Sequence, residues 1–251
     1  MFYKTFVCTL NIVQITALNF DSQGISKLIS LNKLVNLRWA SFNDNDISKV
    51  EGLDSCLKLE ELSLNNNSIS TLNGLSKLHC LNKLSVDGNQ LSSLDASALD
   101  QLPNLSFMSV ENNYISSLHG IQRVRSLLEL YIGNNQISTS RDIYYLKASG
   151  RERRTIGLQI GPPVFHACCL SSYAPFCFQG LTNLIILDLY GNPLVEKLEN
   201  YRIHVVFHLP FLKALDGIAV VFMNNSNQSN LFRNWSDDDV TTTLYVVFSR
   251  R

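Results

Sequence analysis

The chain has 251 residues, of which 45% are hydrophobic and 17% are charged, so it can bury a core and is not intrinsically disordered. Its 21 Lys and Arg residues balance its 21 Asp and Glu residues, which leaves no electrostatic basis for gripping nucleic acid phosphates or an anionic membrane. No apolar run approaches the roughly 20 residues needed to span a bilayer. We therefore expect a single folded domain that binds neither nucleic acid nor membrane.

The N-terminal region begins with an apolar stretch that polar residues interrupt at Asn11 and Gln14. Because no small-residue cleavage site follows, we expect this stretch to be folded protein, with secretion as the alternative. The six cysteines lack the density and regular spacing of a disulfide scaffold. They favour a reducing compartment, so we expect a cytoplasmic protein.

One unit, L-x-x-L-x-L-x-x-N-x-I/L, recurs along the chain and is clearest at residues 59–69, 81–91 and 127–137. Its polar position falls first at Gln23 and then at six asparagines, with successive spacings of 22, 22, 22, 24, 22 and 57 residues: Asn45, Asn67, Asn89, Asn113, Asn135 and Asn192. The L-x-L pair predicts one short strand per repeat with both leucines buried. The asparagines predict a ladder of amides that bond backbone groups of neighbouring turns.

Downstream of each asparagine, apolar residues recur at every third position, as in Ile69, Leu72, Leu75 and Leu78. This spacing predicts tight segments with three residues per turn on the outer side, rather than full helices. Stacked units of strand, turn and outer segment predict an α/β solenoid, with parallel strands on its concave face and short 3-10 or helical segments on its convex face.

Repeats of 22 residues that carry N-x-I-S-x-L-x-G-L, as residues 67–75 do, resemble the leucine-rich repeats of the subfamily that includes the regulatory subunit of protein phosphatase 1. Residues 192–194, 201–202, 209–212 and 215–217 are similar to the C-terminal cap of that subfamily, which implies a cap helix. The resemblance covers residues 15–147 and 180–218. It suggests a fragment or short isoform of a longer protein, with a ciliary scaffold as one setting, and it specifies fold more strongly than function.

The last spacing marks a break in the repeat. Removing residues 148–179 turns the spacing of 57 into 25 and restores the phrase G-L-x-x-L at residues 180–184. We therefore predict six repeats within residues 1–147, a disordered insertion at 148–179, the last repeat and the cap at 180–218, and a disordered non-repeat tail at 219–251. We hypothesise that the insertion is intron sequence added in frame by alternative splicing.

Catalytic and metal-binding patterns are weak. His204 and His208 are four residues apart in the expected cap helix, but Val205 stands where a metalloprotease motif would carry Glu. No phosphate-binding loop or nucleophile elbow is present. One further group in the insertion matches no zinc-ligand spacing: His166, Cys168, Cys169 and Cys177. We predict a protein that is not an enzyme and holds no metal or cofactor.

Strand residues that alternate with the buried leucines form outward-facing columns on the concave face. From these columns we predict eight partner-binding residues: Trp39, Glu61, Lys83, Phe107, Glu129, Tyr131, Asp188 and Tyr190. Large aromatic residues ringed by serines and carboxylates are typical of a protein-binding hot spot, although scattered exposed aromatic residues can also lack a function. The columns hold six carboxylates and one lysine, so we expect a neutral to basic protein partner and a monomeric chain.

Two other functions stay open. The resemblance permits a regulatory role on a phosphatase, although no residue demands it. The chain could instead be a non-functional splice isoform, in which the insertion splits the last repeats. Because each repeat of a solenoid contacts only its neighbours, the first six repeats would survive even then.

Overall fold

The computed structural model describes residues 12–28, 31–147, 181–223 and 243–247. These residues form one ten-stranded sheet whose strands follow one another in chain order. The strands are β1 (Ala17–Asn19), β2 (Trp39–Ser41), β3 (Glu61–Ser63), β4 (Lys83–Ser85), β5 (Phe107–Ser109), β6 (Glu129–Tyr131), β7 (Ile186–Asp188), β8 (Ala214–Leu215), β9 (Ile218–Met223) and β10 (Thr243–Val247). Strands β1 to β8 are parallel, which confirms the predicted solenoid.

The core lies directly behind the strands. In each strand from β2 to β7 the central residue is buried, and the second leucine-type position of the repeat is buried as well, as with Leu62 and Leu64. Because side chains alternate across a strand, the residues on either side of the central one face away from the core. The repeat unit therefore sets the sheet register, in which Glu61 lies between Trp39 and Lys83.

Six asparagines form a buried ladder along the turns that follow the strands. Asn67 shows the pattern: its Oδ1 accepts from the backbone N–H of Ile47 at 3.0 Å, and its Nδ2 donates to the carbonyls of Phe42 at 2.9 Å and Leu64 at 3.1 Å. Each asparagine thus bonds its own turn and that of the preceding repeat. All six are between 2% and 8% exposed: Asn45, Asn67, Asn89, Asn113, Asn135 and Asn192. Gln23 is exposed and makes no such set of bonds.

The seventh repeat stacks directly on the sixth. Tyr131 of β6 pairs with Asp188 of β7, and the Asn134 N–H donates to the Tyr190 carbonyl at 2.8 Å. The ladder continues across the same junction, because Asn192 accepts from the Ile137 N–H at 3.0 Å. The predicted insertion, residues 148–179, lies outside the described residues.

The outer side of the solenoid consists of short helical segments, as predicted. Single 3-10 turns occupy Ile12–Gln14, Asn73–Leu75, Ile121–Arg123 and Ser140–Asp142, and two short α-helices are α1 (Ala96–Leu99) and α2 (Ile143–Leu146). Helix α1 lies in the interval of 24 residues, so the two additional residues complete an α-helical turn. Gly74 begins one G-L phrase at a point where a Cβ atom would collide with the Val50 backbone carbonyl.

The C-terminal cap contains α3 (Pro193–Lys197) and the predicted cap helix, α4 (Tyr201–His208). Val205 and Val206 of α4 are fully buried and close the core after the last repeat. Among the described residues, no helix combines the length and apolar character that crossing a membrane requires.

The tail begins with more order than the sequence pattern predicts. Strands β8 and β9 form an antiparallel hairpin in which Leu215 pairs with Ile218, and β10 pairs in parallel with β9. The physical reason lies in the connecting pair Asp216 and Gly217, whose φ angles of 52° and 72° suit a two-residue hairpin turn. The expectation of disorder from residue 219 is therefore corrected for β9 and β10, while residues 224–242 and 248–251 lie outside the described residues.

Candidate protein-binding face

The concave face consists of three columns of side chains, one residue of each column per repeat. The first column is Ala17, Trp39, Glu61, Lys83, Phe107, Glu129 and Ile186; the second is Asn19, Ser41, Ser63, Ser85, Ser109, Tyr131 and Asp188; the third is Asp21, Asn43, Asn65, Asp87, Glu111, Gly133 and Tyr190. All eight residues predicted to contact a partner lie in these columns. The strand register therefore places them on a single surface.

A second ladder of hydrogen bonds runs along the third column. The Asp21 carboxylate accepts from the Ser41 hydroxyl and from the Asn43 N–H, both at 2.6 Å. Three repeats later, Asp87 accepts from the Ser109 hydroxyl at 2.6 Å and from the Glu111 N–H at 2.7 Å. Asn43, in the repeat after Asp21, accepts in the same way from the Ser63 hydroxyl and from the Asn65 N–H, both at 2.7 Å. Two of the six carboxylates on the face thus stabilise the solenoid itself, and a third, Asp188, accepts from the Gly217 N–H of the cap hairpin at 3.1 Å.

Aromatic side chains on β5 and β6 form the centre of the face. The rings of Phe107 and Tyr131 lie 5.3 Å apart, and the Lys83 ammonium sits 4.7 Å from the Phe107 ring centroid. The Tyr131 hydroxyl donates to Glu129 at 3.1 Å. Burial and the Glu129 carboxylate together raise the pKa of Tyr131 to about 12, so its hydroxyl stays protonated and keeps donating.

Tyr190 lies across the position where Gly133 has no side chain. A Cβ atom on Gly133 would come within 2.5 Å of the Tyr190 ring, so the glycine is what allows the ring to lie there. From this position the Tyr190 hydroxyl hydrogen-bonds Glu111, which lies two repeats before Tyr190, and burial followed by this bond raises the pKa of Tyr190 to about 12. The tyrosine is still 40% exposed. It is therefore held in place while it presents one side to solvent.

Carboxylates surround these tyrosines without a matching number of cations. Burial raises the pKa of Glu111, and the nearby charges of Asp87 and Asp188 raise it further. Burial is also the main cause of the raised pKa of Asp188. Within the three described columns, Lys83 is the one cation, and it is seated over Phe107. The C-terminal half of the face is therefore acidic.

Trp39 and Glu61 extend the same face toward the N-terminus. Trp39 is 36% exposed on β2, and it pairs in register with Glu61, which is exposed on β3 beside Lys83. The structure thus brings six of the predicted residues together on β4 to β7 and just after β7, and these two continue the same face on β2 and β3. Gly133 and Glu111 were not among the predicted partner-binding residues. The sequence feature that could have identified them is their position in the third column, because Gly133 leaves room for the Tyr190 ring and Glu111 bonds the Tyr190 hydroxyl.

The two histidines of the cap pack against each other and against an aromatic ring. The His204 and His208 rings lie 4.6 Å apart, and Tyr144 lies 4.9 Å from His208. Burial lowers the pKa of His208 to about 4, with smaller contributions from the charges of His204 and Lys147. In the part of the chain that the structure describes, no group of three or more His, Cys, Asp or Glu side chains could hold a metal. The group His166, Cys168, Cys169 and Cys177 lies outside the described residues.

Comparisons with known proteins agree with this architecture. A family model described as leucine rich repeat matches residues 80–137, and a second, described as leucine rich repeats in two copies, matches residues 35–77. The fold is similar to the crystal structure of an internalin from Listeria monocytogenes, with a TM-score of 0.59 and 22% sequence identity. The match covers 82% of this chain and 48% of the internalin, so the chain spans about half the length of that protein. The family models thus identify leucine-rich repeats within residues 35–137, and the fold is that of a leucine-rich repeat solenoid.

Proposed function

We propose that this chain is a non-enzymatic module that binds a protein partner through its concave face. The observation that carries the proposal is the row of aromatic side chains on that face, because Phe107, Tyr131 and Tyr190 lie outside the buried core and keep part of their surface in solvent. Aromatic residues with hydrogen-bonded hydroxyls are the usual anchors of protein interfaces. Concave faces of solenoids are also extended binding surfaces by construction.

The setting that we propose is the cytoplasm, with the chain as a monomer and a ciliary scaffold as one context. Two cysteines lie within the described residues, Cys56 buried and Cys80 exposed, and both are free thiols, which fits a reducing compartment. The pairing of β6 with β7 supports a binding role over a non-functional splice isoform, because repeats on both sides of residues 148–180 contribute to one surface.

Affinity capture with the full chain tests the proposal. The concave variant combines Trp39→Ala, Phe107→Ala and Tyr190→Ala, and the control combines Leu57→Ala with Tyr114→Ala, two residues that are 54% and 56% exposed outside the concave columns. We expect proteins that bind both the wild type and the control to be lost from the concave variant, provided that circular dichroism shows all three to be folded. Equal recovery by all three chains would contradict the proposal.

Regulation of a phosphatase is the second candidate. It rests on the 22-residue repeat and on a cap whose helix α4 closes the core after the last repeat. A purified phosphatase catalytic subunit that binds the wild type, and fails to bind a chain carrying Trp39→Ala, Glu61→Ala and Phe107→Ala, would favour this role. Absence of binding to the wild type would exclude it.

A further inference from the structure

The acidic half of the concave face has a geometry that suits one kind of side chain. Tyr131 and Asp188 are register neighbours on β6 and β7, and Tyr190 reaches back over Gly133 to Glu111. Two aromatic rings and two carboxylates therefore converge at the same place. We propose that the protein partner of this face presents a lysine or arginine whose charged end binds Glu111 and Asp188 and whose stem packs against Tyr131 and Tyr190. This inference rests on the proposed function and specifies the chemistry of its partner.

The chain already contains this kind of contact one step away. Lys83 places its ammonium 4.7 Å from the centroid of the Phe107 ring, on the strand before the proposed site. A cation over an aromatic face is attracted by the electrons of the ring, and the attraction grows where water is excluded. Tyr131 continues the row, with its ring 5.3 Å from Phe107. The columns formed by the described residues hold no second cation, which leaves the next place along this row open to a cation of the partner.

The carboxylates near the site are not neutralised within the described residues. The arginine of the cap, Arg202, lies 3.7 Å from Asp216 and donates to the Leu215 carbonyl at 3.2 Å, so it is directed at the cap hairpin. Burial raises the pKa values of both Glu111 and Asp188, and repulsion adds to this effect, from Asp87 and Asp188 at Glu111 and from Asp216 at Asp188. A bound cation would relieve that repulsion, so charge complementarity favours a basic partner over an acidic or neutral one.

Gly133 provides a test that changes neither a charge nor a strained backbone angle. Gly133→Ala would push the Tyr190 ring away from Glu111, because the new Cβ would lie within 2.5 Å of that ring. Glu111→Gln removes one negative charge at the site and keeps the shape of the side chain. Glu51→Gln makes the same change in net charge at an exposed position outside the concave columns, so it serves as the matched control.

The experiment is a selection of short random peptides on the full chain, followed by fluorescence anisotropy of the selected peptides. Peptides are kept when they bind the wild type and fail to bind the triple concave variant, which is the concave variant defined above (Trp39→Ala, Phe107→Ala and Tyr190→Ala). We expect these peptides to be enriched in lysine or arginine. We also expect Gly133→Ala and Glu111→Gln each to weaken their binding by about tenfold, and Glu51→Gln to leave it unchanged. Raising the ionic strength should weaken binding to the wild type more than binding to Glu111→Gln.

The outcomes separate the two proposals. Peptides that depend on the concave face but show no preference for lysine or arginine, or bind Glu111→Gln as well as the wild type, would overturn the inference and leave the proposed function standing. Selection of acidic peptides would overturn it in the same way. If no peptide distinguishes the wild type from the triple concave variant, the proposed function fails as well.

Discussion

Replacing Asn89 by alanine removes the central rung of the buried asparagine ladder. The Asn89 side chain accepts from the Ile69 N–H at 2.9 Å and donates to the carbonyls of Leu64 at 2.9 Å and Val86 at 3.2 Å. It is 4% exposed, so water cannot readily replace these bonds. The substitution therefore affects two adjacent repeats at once.

The expected cost follows from which backbone groups keep another partner. The Leu64 carbonyl also accepts from the Asn67 amide at 3.1 Å, and the Val86 carbonyl also accepts from the Asn113 amide at 3.0 Å. The Ile69 N–H has no such second partner, so one buried donor is left unsatisfied. An unsatisfied buried donor costs about 1–3 kcal/mol, and we expect Asn89→Ala to reduce the free energy of unfolding by that amount.

Urea unfolding followed by circular dichroism measures this effect, with Asn82→Ala as the control. Asn82 is an exposed asparagine of the same repeat, and its replacement should change the free energy of unfolding by less than about 0.5 kcal/mol. A lower urea midpoint for Asn89→Ala alone would agree with the ladder geometry. Equal midpoints for Asn89→Ala and the wild type would refute it, because the buried N–H would then have found another partner.

Three further sets of substitutions test close packing, the second ladder and the cap. Gly74→Ala should reduce the free energy of unfolding by about 3 kcal/mol, because the new Cβ meets a backbone carbonyl. Gly24→Ala, at φ +61° with no atom within 4 Å, should reduce it by about 1 kcal/mol, which reflects backbone strain alone. Equal urea midpoints for the two variants would contradict this reasoning. Asp87→Asn keeps the oxygen that accepts from Ser109, so it should change the free energy of unfolding by less than about 0.5 kcal/mol. Asp87→Ala removes that oxygen and should reduce the free energy of unfolding by about 1–2 kcal/mol. The reverse order would count against the second ladder. Because burial lowers the pKa of His208 to about 4 from 6.5, the unfolded chain binds more protons in this interval, so stability should be lost as the pH falls from about 6.5 to 4. The loss should be smaller in His208→Gln, and identical pH profiles would show that this histidine is not buried in its neutral form.

The repeat could be predicted from sequence because Leu and Asn perform the same task in every unit. A leucine and a second aliphatic residue on either side of one outward residue predict a short strand, and the structure has such strands at Glu61–Ser63 and Lys83–Ser85. The ladder asparagine is identified by its fixed distance from that pair. The residue types within each repeat and the spacing between repeats were therefore sufficient to predict the strand positions and the class of fold.

Contacts between neighbouring repeats were harder to predict. Ser41 and Ser109 alternate with buried apolar residues and therefore look solvent-facing, yet they are 2% and 6% exposed, and a carboxylate of the preceding repeat accepts from each hydroxyl. Tyr190 reaches across Gly133, which no pattern within one repeat reveals. Only a comparison of equivalent positions across repeats, with Asp21 and Asp87 in one column, carries a signal for such contacts.

The concave face exists as one binding surface only if β7 stacks on β6 in solution, since Asp188 and Tyr190 follow residues 148–180 in the chain. Hydrogen exchange measured by mass spectrometry on the full chain tests this directly. The N–H groups of Ile132 and Asn134 donate to the carbonyls of Asp188 and Tyr190 at 2.9 and 2.8 Å, so we predict that they exchange as slowly as the amides between β3 and β4. Fast exchange at residues 128–136 and 181–215, with protection kept between β2 and β5, would contradict a continuous face.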